Sequence, residues 1–499
     1  MNYIRRLLLF SGLAMIGISH TILVRMEGLS SEREDLLTVP PPKLRRPLKD
    51  VDPITLNFDP MAHDNSTTSL YDITPKSQNE EGPASKKVER PGQPNVHFPL
   101  PTEAVSSSSK IILEPTFGSH RPDQNAVFAL AEGYDLNVYA TFIESLKMTG
   151  YQGDVVMAVS SIRGIKKDVK EYLQFYASIE SDKSGIRVIS YSIDWECYKK
   201  SGTKISPEDG YKEGRGNPTN HGFSDCKLHN MYSEDDSLSP AQDPRDARPV
   251  ATARYELYWI WSRKYDSSSK ILIIDFRDTY FQTNPFSFAA SSPQTGDLIT
   301  NTHHECYLDL FEENFDAINI GKSSYNSNWI KSAYGNDALK TVAAKPVICS
   351  GSTMGTQHAI EKYTIAMVAQ SDERKCKSVG CDQGFHNYLY YLGNLDEWLA
   401  STNKRGEQTC DIRVHVHGEG AVNNLSAMRE SPLRDQGVLK TFDVNETYVA
   451  KDGNIVVNSD GSTPSPVVHQ FDRDKELKGL IRKRTSQMLK EWKSEQSSR

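Results

Sequence analysis

Ile271-Leu272-Ile273-Ile274-Asp275-Phe276-Arg277-Asp278-Thr279-Tyr280-Phe281-Gln282-Thr283-Asn284-Pro285-Phe286 is the stretch of this 499-residue chain that carries most of its meaning. Four consecutive branched apolar residues predict a central strand buried on both faces. Its C-terminal end delivers two carboxylates three positions apart. In open α/β sheets, ligands sit beyond the carboxyl ends of the strands. Two carboxylates converging there repel unless a cation joins them, and hard oxygen ligands suit Mn²⁺ or Mg²⁺. A nucleotide diphosphate is the natural third partner, because a metal neutralises a departing pyrophosphate. The plainer alternative is a structural ion pair between Arg277 and one of the aspartates.

Working outward, short apolar runs alternate with helical spacing. Val127–Ala131 predicts a buried strand, and Asn137–Met148 a helix with Val138, Phe142, Ile143 and Leu146 on one side. Asp154–Val159 predicts a strand, Lys167–Phe175 a helix, Ile186–Ile189 a strand, and 250–265 a helix leading into the strand Lys270–Ile274. This alternation predicts an α/β fold, a mixed and mostly parallel sheet with helices on both faces. Lys199–Arg248 is polar and rich in Gly, Pro, Asp and Ser, and is expected to be a surface insertion.

The N-terminal end has a different texture. An apolar run from Leu7 to Val24, with Arg5 and Arg6 before it and Arg25 after, makes about 27 Å of helix, enough for a thin bilayer. Residues 1–25 are therefore expected to be an anchor with a cytosolic N-terminus, in competition with a cleaved signal peptide. Fourteen of the 25 prolines lie between Pro40 and Pro122, so residues 26–122 are expected to form a disordered stem ahead of a folded domain at 123–475. The tail at 476–499 is a basic amphipathic helix, expected to pack on its own domain rather than on a membrane. Sequons at Asn65, Asn424 and Asn445 suit a lumenal domain. A net charge of −7 disfavours nucleic acid as a partner. A mean hydropathy of −0.55 excludes a polytopic membrane protein. Seven cysteines leave at least one thiol unpaired; Cys197 with Cys226 and Cys376 with Cys381 are the candidate bridges.

Four elements together resemble the GT-A (Rossmann-like) fold of nucleotide-sugar glycosyltransferases, over roughly residues 125–475. The first is the Asp275–Asp278 strand end, similar to a metal-binding Asp-x-Asp region although its spacing is Asp-x-x-Asp. The second is Val347-Ile348-Cys349-Ser350-Gly351-Ser352, similar to the family's strand–Gly–turn element where acceptor meets donor sugar. The third is Gly380-Cys381-Asp382-Gln383, similar to an Asp-Gln element opening a helix. The fourth is Pro466-Val467-Val468-His469, similar to a C-terminal His segment that completes a metal site. The resemblance implies a metal held by Asp275, Asp278 and His469, and a nucleotide sugar met by Asp275, Arg277, Arg254, Gly351 and Ser352. It also implies catalytic roles for Asp382 and Gln383. Acceptors would be glycan, protein or lipid, and the enzyme a single-pass type II membrane protein of the Golgi or endoplasmic reticulum.

Bland readings stand beside these. Asp382 suits a helix cap, His469 a satisfied core histidine, Arg254 a solvent-facing position and His386 helix packing. His415 and His417, expected to alternate on a strand, rival His469 for the metal. A non-catalytic glycan-binding or scaffolding relative is the alternative function. A phosphatase of the haloacid dehalogenase type fits less well, because Asp275-Phe276-Arg277-Asp278-Thr279 has one residue too many for Asp-x-Asp-x-Thr.

Overall fold

The computed structural model describes residues 96–497, apart from 107, 161–163, 179–184, 200–202, 205–222, 235–238, 242, 289–305, 314–317, 402–408, 427–430 and 444–449. The expected anchor, most of the stem, and the sequons at Asn65 and Asn445 lie outside these residues. No helix among the described residues is long and apolar enough to cross a membrane.

A seven-stranded sheet organises the molecule. From edge to edge its strands are Cys410–His415, Cys306–Glu312, Ile348–Thr356, Lys270–Ile274, Ala126–Leu130, Asp154–Ser160 and Arg187–Ile193. Only Ile348–Thr356 runs against its two neighbours; the other pairings are parallel. The aspartate strand is therefore central, as its unbroken apolar run predicts. Alternating side chains serve two cores, because successive residues of a strand point to opposite faces. Ile271 and Ile273 join Phe128, Tyr258 and Trp261 on one face, under the helices Val250–Ser262 and Gln357–Arg374. Leu272 and Ile274 join Val127, Phe142 and Tyr172 on the other, under Leu136–Met148 and Lys167–Ser178. The expected α/β class, with a mixed, mostly parallel sheet covered on both faces, is what forms.

A second, small sheet decides where the C-terminal segment goes. The strand Val467–His469 lies between Val422–Asn424 and Thr279–Phe281, with His469 opposite Thr279 and beside Asn424. The helix Lys475–Ser497 follows and packs through Leu477, Ile481, Met488 and Trp492, the last against Tyr172. Its apolar stripe covers its own domain.

Two boundaries differ from the expectation. Residues 96–122 belong to the folded unit, although proline density assigned them to the stem. Phe98 packs edge-on to Trp398 at 5.4 Å, Leu113 is buried, and Arg121 pairs with buried Asp154 at 2.7 Å. The stretch from 199 to 248 is not simply a surface insertion. Trp195–Lys199 and Phe223–Leu228 form a hairpin joined by the Cys197–Cys226 disulfide. Arg245 and Arg248 return into the protein to meet buried Glu256. The Cys376–Cys381 bridge is present as expected. A third, Cys306–Cys410, ties neighbouring strands in register, leaving Cys349 as the buried free thiol.

Candidate metal and donor site

The strand Lys270–Ile274 ends at Asp275, whose backbone N–H donates to the carbonyl of Gly351 at 2.9 Å. The chain turns through Phe276 and Arg277 and re-enters extended structure at Thr279, so Asp278 sits where the large sheet hands over to the small one. His469 reaches the same point because its strand pairs antiparallel with Thr279–Phe281. Asp275, Asp278 and His469 are the one group of three potential ligands among the described residues, each offering an atom within 4.8 Å of the others.

Each of the three is held from behind. Asp275 accepts from Arg254 through Oδ1, leaving Oδ2 facing His469 Nε2 at 3.7 Å. Asp278 accepts from Arg473 at 2.5 Å through Oδ2, leaving Oδ1 facing the same nitrogen at 3.6 Å. His469 Nδ1 meets Asn424 Oδ1 at 2.8 Å. That bond calls for the proton on Nδ1 and turns Nε2 towards the carboxylates. Nε2 is buried with no hydrogen-bond partner, since 3.6 Å is too long for one. Two ligand atoms on a common first-row ion are about 3 to 4.4 Å apart, given bond lengths near 2.1–2.2 Å. The separations of Nε2 from the two carboxylates, 3.7 and 3.6 Å, and its lack of a hydrogen-bond partner fit such an ion. Two carboxylates and one imidazole suit Mn²⁺ or Mg²⁺, with Mn²⁺ the better match for the imidazole.

The electrostatics agree with close packing of charge. Although burial works against it, Arg254 and then His469 hold the Asp275 carboxyl well below the usual carboxylate range. Burial likewise disfavours a charged His469, but Asp275, Cys349 and Asp278 around it outweigh that and raise its pKa well above the usual imidazole value.

The other expected residues fall into two groups. Arg277 is half-exposed, 3.2 Å from Asp278 and 3.6 Å from Asp472, at the rim of the cluster. Gly351 touches it directly: a Cβ there would come within 2.6 Å of Asp275 Oδ2 and 2.9 Å of His469 Cε1. Ser352 is fully buried and donates to Asn424 at 3.0 Å, so it supports the residue that orients His469. No turn follows Gly351, which lies inside an unbroken nine-residue strand, Ile348–Thr356. Arg254 does not face solvent. It is buried and spans two carboxylates, Asp275 and Asp382, the latter at 3.0 Å.

Asp382 does not cap its helix, Cys381–Tyr391, whose capping position is Gly380. It accepts from Arg254 and from Ser350 Oγ at 3.2 Å, and burial pushes its pKa up against the pull of Arg254. Gln383 clamps the glycine strand, receiving the Ser350 N–H at 2.7 Å and donating to the Ile348 carbonyl at 2.5 Å. His386 is buried and bonded to Tyr363 at 2.7 Å, a packing role. His415 ends its strand, so His417 is not part of an alternating pair. His415 pairs with Asp309 at 3.1 Å and stacks on Phe311 instead.

Three contributors went unread in the sequence. Asn424 was visible only as a sequon, yet it is fully buried and committed to His469 and Ser352, so no glycan fits there. Arg473 comes four residues after His469, just beyond the C-terminal His segment, and carried no signal of its own in the sequence. Tyr134 follows the strand Ala126–Leu130 and stacks at 6.0 Å on Phe276, between the two aspartates. Burial lifts its hydroxyl to about 12, against the pull of Arg277.

No protein-family model matches the chain, and no curated protein sequence matches it. Among solved structures it is similar to the galactosyltransferase LgtC in complex with donor and acceptor sugar analogs. The identity is 13%, covering 73% of this chain and 94% of that one, with a TM-score of 0.32. An active-site mutant of LgtC aligns at 11% identity over 73% and 95% of the two chains, with a TM-score of 0.33. Likeness this slight leaves the assignment to the residues of the site.

Proposed function

We propose that this protein is a metal-assisted glycosyltransferase that moves a sugar from a nucleotide-diphosphate sugar to an acceptor hydroxyl. The observation that carries the reading is the convergence of Asp275 Oδ2, Asp278 Oδ1 and His469 Nε2, each held by its own hydrogen-bond partner, at the end of a central strand. Mn²⁺ or Mg²⁺ held there would neutralise the diphosphate as it leaves. The protein's own part is to keep that site rigid and positive at its rim. Arg277, half in solvent, is suited to meet phosphate oxygens, and Arg473 orients the Asp278 carboxylate through its Oδ2. Arg254 couples the cluster to Asp382, the carboxylate we assign to the sugar side. Its raised pKa suits a group that exchanges protons or hydrogen bonds with a hydroxyl. Gln383 holds the glycine strand in register beneath it. Asp275 is already engaged by Arg254, which disfavours the nucleophilic aspartate of a phosphatase.

The membrane anchor, lumenal location and Golgi or endoplasmic reticulum residence belong to the same proposal. Three disulfides support it, because such bonds persist in oxidising compartments. The purified protein is expected to release nucleoside diphosphate slowly from one member of a nucleotide-sugar panel when Mn²⁺ is present. Asp278→Ala should reduce that release by at least about a hundredfold, equivalent to roughly 2.7 kcal/mol. Neither binding nor turnover across the panel would instead support the non-catalytic glycan-binding reading.

A further inference from the structure

We infer that the cleft between Gln470 and the start of the helix Ser324–Val342 is a carbohydrate-binding subsite that seats a pyranoside ring of the acceptor. The inference deepens the transferase reading and rests on it for the word acceptor. The cleft encloses about 290 Å³ and is lined by Glu313, Tyr325, Trp329, Gln470 and Arg473 among others. One wall begins immediately after His469. Gln470 has a left-handed backbone, φ 64°, which a residue with a side chain adopts only when its surroundings impose it. The side chain is thereby laid against Glu313, donating through Nε2 to Oε1 at 2.8 Å. Its own Oε1 is left buried and without a hydrogen-bond partner. A buried carbonyl oxygen in that state requires a donor, and the cleft is where one can arrive.

The facing wall is aromatic. Tyr325 is 63% exposed, and its ring lies 5.9 Å from that of Trp329 at an interplanar angle of 36°. Trp329 rests directly on the start of the helix Cys381–Tyr391, where a Cβ at Gly380 would come within 2.0 Å of the indole. That glycine leaves the ring a flat seat. A pyranoside offers what these two walls ask for: an apolar C–H face for the aromatic rings, and hydroxyl donors at its edge for Gln470 and Glu313. An acyl chain would leave the amide oxygen unsatisfied. The cleft also adjoins the chemistry. Arg473 lines it and donates to Asp278, and Glu313 lies 3.5 Å from the Gln383 amide.

The test uses the full-length protein and methyl β-D-galactopyranoside, methyl α-D-glucopyranoside and methyl α-D-mannopyranoside, without nucleotide or metal. Saturation-transfer NMR is expected to show saturable binding of at least one glycoside, with the strongest transfer to the C–H protons of one ring face. Trp329→Ala and Gln470→Gly should each weaken it about tenfold. Glycine accepts the left-handed backbone, so Gln470→Gly removes the amide while the fold, checked by thermal melting, persists. Lys340→Ala, exposed on the helical stretch beyond the break at Gly335, should bind as the wild type does. Absence of saturable transfer, or wild-type affinity in both cleft variants, overturns the inference. So does binding confined to sugars still attached to nucleoside diphosphate, which would make the cleft a donor pocket. Calorimetric titration of the wild type with Mn²⁺ and nucleoside diphosphates reports separately on the metal site. If nucleotides fail there while glycosides bind, the transferase reading falls and the carbohydrate site stands.

Discussion

Gly351 and Asn424 show how little freedom the site allows its individual residues. A methyl group at Gly351 would occupy the space between Asp275 Oδ2 and the His469 ring. Gly351→Ala is therefore expected to displace the carboxylate and lower Mn²⁺ affinity by about tenfold or more, while melting close to the wild type, because the strand backbone there is ordinary. Asn424→Ala acts from the other side. Without the Asn424 carbonyl oxygen, Nε2 of His469 is no longer held towards the carboxylates, and affinity should fall roughly 10- to 100-fold. Titration of both variants with Mn²⁺, followed by electron paramagnetic resonance, measures each effect. Unchanged affinity in Asn424→Ala would show that His469 is not a ligand.

Among the elements, the helix Cys381–Tyr391 has a liability towards acid. His386 is fully buried, and burial lowers its pKa from 6.5 to about 3. Folded, the ring stays neutral; unfolded, it takes up a proton below about pH 6.5. The stability it contributes is therefore complete above that pH and declines as the pH falls towards 3, by about 2 kcal/mol between pH 7 and 5. His120, lowered to about 4 by burial and then by Lys264, adds a loss in the same direction. Denaturant unfolding at the two pH values should show the decline, and His386→Gln should remove about 2 kcal/mol of it whatever its stability at neutral pH. Equal pH dependence in variant and wild type would contradict the assignment.

For the molecule as a whole, the boundary of the folded unit matters most. A chain beginning at residue 123 loses Phe98 from Trp398, Leu113 from the core, and Arg121 from buried Asp154. Two buried apolar side chains at about 2 kcal/mol each, with an uncompensated buried carboxylate, make about 5 kcal/mol or more. Truncation at 123 is expected to lower the melting temperature by roughly 6 °C relative to a chain starting at Glu89; equal melting temperatures would return residues 96–122 to the stem. Proline density misplaced this boundary because proline also suits extended segments that pack without regular structure. The few apolar residues between the prolines find their partners only across the fold.

Local physics was enough for the strands around 127–131, 154–159, 186–189 and 270–274 and for half of the site. A short unbroken run of branched apolar residues suits a strand covered on both faces, and two carboxylates at its end call for a counter-charge; both follow from neighbours in the chain. Strand–helix alternation from 126 to 274 likewise needs no distant information. What the tertiary structure alone decided is everything set by register between remote segments. His469 meets Asp278 because Val467–His469 pairs with Thr279–Phe281, and Asn424 orients His469 because a third strand joins them. Arg254 bridges Asp275 to Asp382 across more than a hundred residues of chain, and Cys306 finds Cys410 on the neighbouring strand. Such pairings arise from how two cores close around one sheet, a property of the packed chain that no single window of residues contains.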